Sequence, residues 1–195
     1  MWIIAGLGNP GSKYDKTRHN VGFKVIDRLS DKYGIVLEEK DSYLLGKGTI
    51  EGRQAVLVKP LTFMNRSGAA VAKVLRKFSG SPGSLIVVHD ELDLDAGVMK
   101  LKKTGASGGH KGVESIIEAV GTRDFLRIRV GIGRDRETPS DVYVLSSFRP
   151  HEKSIIRDAI INAADAVASV VGNGIDKSMT RYNRTSKERR LPGDL

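Results

Sequence analysis

The chain has 195 residues, 39% hydrophobic and 28% charged, with 32 Lys and Arg against 23 Asp and Glu for a formal charge of +9. That balance excludes wholesale disorder, no apolar run approaches the ~18 residues of a membrane span, and zero Cys excludes disulfides, thiolate nucleophiles and Cys–zinc sites together. The positive charge favours an anionic partner such as nucleic acid without choosing one.

Residues 2–7 read as a short buried strand that stops at a Gly-Asn-Pro-Gly turn instead of running on as a signal-peptide core, so no leader and a cytoplasmic location are expected. Val21, Val25, Ile26 and Leu29 recur at helical spacing, which predicts a helix from near Asn20 to before Gly34. Glu51-Gly52 between alternating apolar flanks predicts a hairpin over 49–58. Val71, Val74, Leu75 and Phe78 mark a second helix, with Ser67 or Asn65 as its cap. Residues 85–88 form a β-branched run suited to a central strand, and 98–102 and 127–132 alternate as strands with one wet face. Val113, Ile116, Ile117 and Val120 make a third helical stripe closed by Gly121, and 155–171 a longer helix with Pro150 near its start and Gly172 after it. The order predicts an α/β fold: a single domain over residues 1–185 with a central twisted mixed sheet flanked by helices, followed by a basic tail at 186–195.

The charge is unevenly distributed. Residues 98–149 hold 10 basic and 6 acidic residues, and residues 177–195 hold 6 and 2, so each segment carries +4. The tail, with Arg181, Arg184, Lys187, Arg189 and Arg190, has the pattern of a solvated, frayed terminus, whereas the middle segment places its bases on strands beside a glycine-rich turn, where a phosphate backbone would select them.

Several residues carry both a chemical and a plain structural reading. Gly6-Leu-Gly8-Asn-Pro-Gly11 matches the dinucleotide pattern GxGxxG, but 12–19 is polar and aperiodic where a phosphate-binding helix should begin, so a strand-ending turn that needs glycine φ values is the better account. His151 reads as a surface residue and His89 as a buried structural one, with Asp90 on the opposite strand face and no companion ligands at metal spacing. His19 lies in a polar loop ahead of a helix, and His110 ends a glycine-rich loop that offers N–H groups to an anion. Phe63 and Met64 read either as core or as part of a site, and Asn65 as a cap or a polar contact.

Taken together the motifs are far more specific. Gly6-Leu-Gly-Asn-Pro-Gly11 with Tyr14 and Thr17-Arg-His-Asn-Val-Gly-Phe23 resembles the first signature of the bacterial peptidyl-tRNA hydrolase family. Lys59-Pro-Leu-Thr-Phe-Met-Asn65-Arg-Ser-Gly68 resembles its second, His89-Asp90-Glu-Leu-Asp93-Leu with Gly97 its third, and Gly108-Gly-His110-Lys-Gly112 its fourth. Arg127-Ile-Arg129-Val-Gly-Ile-Gly133 and Val144-Leu-Ser-Ser-Phe148 complete the order over residues 3–185.

The resemblance implies hydrolysis of the ester joining a peptide, or an N-blocked amino acid, to the 3′-terminal ribose of tRNA, recycling tRNA from stalled or abandoned translation. It implies His19 as general base, Asp90 as its orienting partner, and no metal, cofactor or covalent nucleophile. Asn9 would separate blocked from free aminoacyl ends, Asn65 would hold the substrate's terminal region, and Tyr14 and Phe63 would contact the acceptor end, with His110 and Lys111 nearby. Lys102 and Arg129 occupy the positions that grip the 5′ phosphate of tRNA in this family, and a monomer is implied. One position departs: the residue after His110 is usually Asn and here is Lys111, which only donates and carries charge. A contact to RNA phosphate would suit it. A non-enzymatic RNA-binding protein on the same fold is the alternative reading, and a nucleotide-dependent oxidoreductase the third.

Overall fold

The computed structural model describes residues 1–183, so Arg184, Lys187, Arg189 and Arg190 of the basic tail lie outside the described residues, whereas Arg181, expected in a frayed terminus, sits in the last turn of a helix over Ile175–Tyr182. Among the described residues seven strands form one sheet in the order β2-β3-β4-β1-β5-β7-β6. Its centre is parallel: β1 (Trp2–Gly6) lies between β4 (Arg53–Pro60) and β5 (Leu85–Glu91), and β5 pairs with β7 (Leu126–Gly131). Antiparallel strands finish both edges, β2 (Glu38–Lys40) and β3 (Tyr43–Ile50) on one side and β6 (Met99–Lys102) on the other.

Strand alternation divides the core in two. Ile4, Leu57, Ile86, Val88, Ile128 and Val130 face α1 (Val21–Tyr33) and α5 (Lys153–Asn173), while Ile3, Ala5, Val56, Val58 and Val87 face α2 (Ser67–Lys77) and α3 (Lys111–Val120). Ile3 and Ile4 are both fully buried. This explains the unbroken apolar run of β1, since a central parallel strand has no wet side; each such side chain contributes ~1.5–3 kcal/mol on burial. No helix among the described residues is long and apolar enough to cross a membrane.

The predicted helices over 21–33 and 111–120 and the Glu51-Gly52 hairpin form as expected, the hairpin with both turn residues at positive φ, 46° and 72°. Four expectations change. Neither Ser67 nor Asn65 caps α2: a 3-10 turn at Met64–Arg66 runs straight into the helix, and the Ser67 hydroxyl is buried without a hydrogen-bond partner among the described residues. Gly172 does not end α5 but lies inside it, where a Cβ would press on Glu51 of the hairpin turn; the helix breaks at Gly174. β7 is wet only at Arg129, because Arg127 on the same face is 2% exposed under the loop that precedes α3. Gly6 and Gly8 are not required for positive φ, which only Gly11 of that trio adopts; a Cβ on Gly6 would strike the carbonyl of Gly22, and one on Gly8 the Phe23 ring. The motif glycines thus let α1 descend directly onto the end of β1. Three short elements escaped the periodicity: β2, α4 (Ser140–Tyr143) and α6 (Ile175–Tyr182). After α6, Asn183 hydrogen-bonds both main-chain groups of Leu101 and covers the edge of β6.

Candidate active site

The carboxyl ends of the parallel strands share one end of the sheet, where open α/β sheets hold their ligands. Beyond β1 comes the loop carrying Asn9; beyond β4, the turn with Phe63, Met64 and Asn65; β5 itself delivers Asp90. A cavity of about 660 Å³ opens there, lined by Asn9, His19, Phe63, Asn65, Asp90, His110 and Lys111 among others. Seven residues singled out from the sequence, contributed by five separate segments, therefore meet around one space.

Asp90 is its electrostatic centre. The carboxylate is 2% exposed and meets Nδ1 of His19 at 2.8 and 2.9 Å through its two oxygens. Its Oδ1 also meets Nε2 of His110 at 2.9 Å. Burial by itself pushes the Asp90 carboxyl up; His110 and His19 outweigh it and hold the group far below the usual carboxylate range. An ionised Asp90 only accepts, so both imidazoles donate to it. His110 is further constrained because its Nδ1 accepts the N–H groups of Gly112 and Val113 at the start of α3, leaving its proton on Nε2. A neutral His19 that donates from Nδ1 has its lone pair on Nε2.

His89 stacks edge-on against His110 with 4.7 Å between centroids and donates its Nδ1–H to the Asp90 carbonyl. Burial, then the proximity of His110, pushes His89 well below its ordinary value, and its Nε2 has no partner among the described residues. His89 is thus the buried structural histidine expected, on the face opposite the Asp90 carboxylate.

Two histidines and a carboxylate with ligand atoms within 4.8 Å of one another have the composition of a metal centre, which the sequence spacing did not reveal. The donor chemistry does not fit an ion. The nitrogen of His110 that faces Asp90 carries the proton, because the other nitrogen accepts two helix N–H groups, and a metal would need that lone pair. The trio is held together by hydrogen bonds from two imidazoles to one carboxylate.

Asn9 is oriented by the main chain. The N–H of Met64 donates to its Oδ1 at 2.8 Å, which leaves its NH₂ group without a partner among the described residues, while Asn20 bridges both main-chain groups of Asn9 at 2.8 and 2.9 Å. Asn20 and the Met64 amide were not among the residues read from sequence; a buried Asn within a polar stretch leaves no periodic signal. Phe63 is 56% exposed and meets Tyr14 edge-on at 6.5 Å, which extends the mouth of the cavity beyond its lining. Met64 is core.

Lys102 and Arg129 lie outside the cavity, on one face of the β6–β7 pair. Lys102 is directly opposite Arg127, and Lys100 opposite Arg129. Lys102 is exposed, whereas Arg129 holds Glu91 at 2.7 Å. Arg127 donates to the carbonyls of Gly105 and Ala106 and so fastens the glycine-rich loop before His110.

The sequence model of the family described as Peptidyl-tRNA hydrolase matches residues 3–190. The chain is 46% identical over 186 residues to the peptidyl-tRNA hydrolase of Thermodesulfovibrio yellowstonii, covering 94% of this chain and 100% of that one. It is likewise 46% identical to that of Brevibacillus brevis over 96% of this chain and 100% of that one. The crystal structure of peptidyl-tRNA hydrolase from Acinetobacter baumannii is similar with a TM-score of 0.88 at 37% identity, over 94% of both chains.

Proposed function

The chain belongs to the peptidyl-tRNA hydrolase family and is an ester hydrolase acting on peptidyl-tRNA; on that premise we propose that His19 is the general base, oriented by Asp90, for attack of water on the ester carbonyl. The observation that carries this is the Nδ1 contact of His19 to the buried Asp90 carboxylate at 2.8 Å, with Nε2 left to the cavity. Water adds to the carbonyl carbon as its proton passes to Nε2. Asp90 stabilises the imidazolium, and collapse of the tetrahedral intermediate expels the ribose 3′ oxygen, which takes that proton back. A base of this kind contributes about 10²–10⁴-fold.

The free NH₂ of Asn9 suits the carbonyl of a blocked amino group and offers nothing to a free ammonium, a donor itself. Asn65, exposed at the cavity with no partner among the described residues, suits the substrate's terminal region. The exposed Phe63 ring, with the half-buried Tyr14 edge-on beside it, provides a surface on which terminal bases can stack. His110 reads as a residue that positions Asp90, since both its ring nitrogens are occupied. Lys111, exposed on the first turn of α3, is assigned to RNA phosphate near the acceptor end, and Lys102 with Arg129 to the 5′ phosphate, Arg129 exchanging its Glu91 partner for the ligand. One chain supplies all these groups, which suits a monomer working on cytoplasmic tRNA.

Incubation with N-acetyl-aminoacyl-tRNA and with unblocked aminoacyl-tRNA tests the reading. Release of free tRNA from the blocked substrate alone, abolished in His19→Ala, is expected; undiminished turnover in His19→Ala overturns the base assignment.

A further inference from the structure

Arg18, which precedes His19, heads the fully buried side chains among the described residues by volume, with a side-chain exposure of 1%. Its guanidinium lies between two aromatic rings, 4.3 Å from the centroid of Tyr143 and 4.7 Å from that of Phe148. Around its edge Nε donates to the Ser146 hydroxyl, one terminal nitrogen to the Ile132 carbonyl and Glu152, and the other to Glu152 at 2.7 Å. The main chain is stitched at the same place. Thr17 bridges to Ser147, the N–H of Arg18 donates to the Ser146 carbonyl, and that of His19 to the Val144 carbonyl at 2.8 Å. Val144 and Leu145 of that segment line the cavity.

We propose that Arg18 is a positioning residue for the hydrolysis: its buried fork locks the backbone that carries His19 to the segment that forms the cavity wall. The inference rests on His19 being the base. A buried ion pair is a poor stability device, because an apolar pair of similar volume often serves as well or better. What the rigid fork adds is a single geometry, set by a bidentate carboxylate, two further acceptors and a ring on either side. The Nδ1 contact to Asp90 comes from a side chain whose peptide N–H is held by the very segment that Arg18 clamps. A displacement of order 1 Å at such a point costs about 10²-fold in rate.

The test replaces both ends of the pair, Arg18→Met with Glu152→Leu, so that no charge is left buried alone. Turnover of N-acetyl-aminoacyl-tRNA is followed well below the variant's unfolding midpoint, with the NMR resonance of the His19 Nδ1 proton. The proposal expects an intact fold, kcat down by about 10²-fold with KM within about two-fold, and loss of the sharp Nδ1–H resonance. Unchanged kcat and resonance in the folded double variant overturn it. Should that variant fail to fold, Phe148→Leu removes one stacking face alone; about a ten-fold loss of kcat with KM retained supports the proposal, and wild-type kcat overturns it. His19→Ala separates the two readings: activity retained there refutes the base assignment, whereas an inactive His19→Ala beside fully active Arg18 and Phe148 variants refutes only the positioning role.

Discussion

His110 donates its Nε2–H to Oδ1 of Asp90 at 2.9 Å, so the carboxylate that orients His19 is shared between two imidazoles. Sharing weakens what Asp90 gives to either ring, since its negative charge is divided between two donors. Asp90 thereby stays ionised although 2% exposed, while its grip on the His19 imidazolium is moderated.

Replacing His110 by Asn separates these effects, because Asn caps a helix well and does not reach Asp90 as a ring does. Asp90 then loses the donor that fixes its carboxylate beside His19. The kcat for N-acetyl-aminoacyl-tRNA is expected to fall by about ten-fold, equivalent to ~1.4 kcal/mol, with KM little changed. Wild-type kcat shows that His110 does not position the pair.

Acid stability should fall in two stages. Burial, then the proximity of His110, depresses His89, so its contribution is fully present above the unfolded value of ~6.5 and is lost as the pH drops from there through the folded value. Burial raises Asp90 but the two imidazoles more than reverse it; its contribution is present above ~4 and lost as the pH falls below that. Urea unfolding of the wild type should therefore lose stability already between about pH 6.5 and 5, at up to ~1.4 kcal/mol per unit. His89→Phe should abolish that stage, and Asp90→Asn only the lower one. An identical upper slope in His89→Phe contradicts the assignment.

Asn20→Ala removes two buried hydrogen bonds to the main chain of Asn9. A loss of about 2–4 kcal/mol in stability is expected, one bond's partner being stranded in each direction. Turnover should fall as well, because the loop presenting Asn9 to the cavity loses its tether. Calorimetry and blocked-substrate kinetics on the same sample check both, and wild-type stability refutes the tether.

Lys111→Asn tests the phosphate assignment. A cation on the first turn of α3 is mildly unfavourable unless an anion is near. If Lys111 contacts single-stranded RNA phosphate, the slope of log KM against log salt should become shallower by about 0.7 in the variant. Equal slopes leave Lys111 without a phosphate contact.

The elements that the sequence determined by itself are those whose side chains repeat with a period. Val21 to Leu29 and Val113 to Val120 trace helices, and the unbroken apolar run of β1 states that both its faces are covered. Ordered motifs from Gly6 to Phe148 were enough to read the family from sequence, because chemistry at a site restricts residue types even where no periodicity exists. Short or polar pieces such as β2 and α4 hold too few residues to show a period, and Gly172 suggested an end to α5 that packing against Glu51 denies.

Tertiary structure decided which polar groups are buried and what they face. A charged or amide side chain reads as exposed along a chain, yet Arg18, Asn20 and Arg127 are 1%, 2% and 2% exposed. Their burial depends on partners that sit far along the sequence, as Glu152 does from Arg18. The sharing of Asp90 by His19 and His110, across separations of 71 and 20 residues, is of the same kind. Hydrogen-bond partners of buried polar groups are chosen by the meeting of distant segments, and only the folded chain brings those segments together.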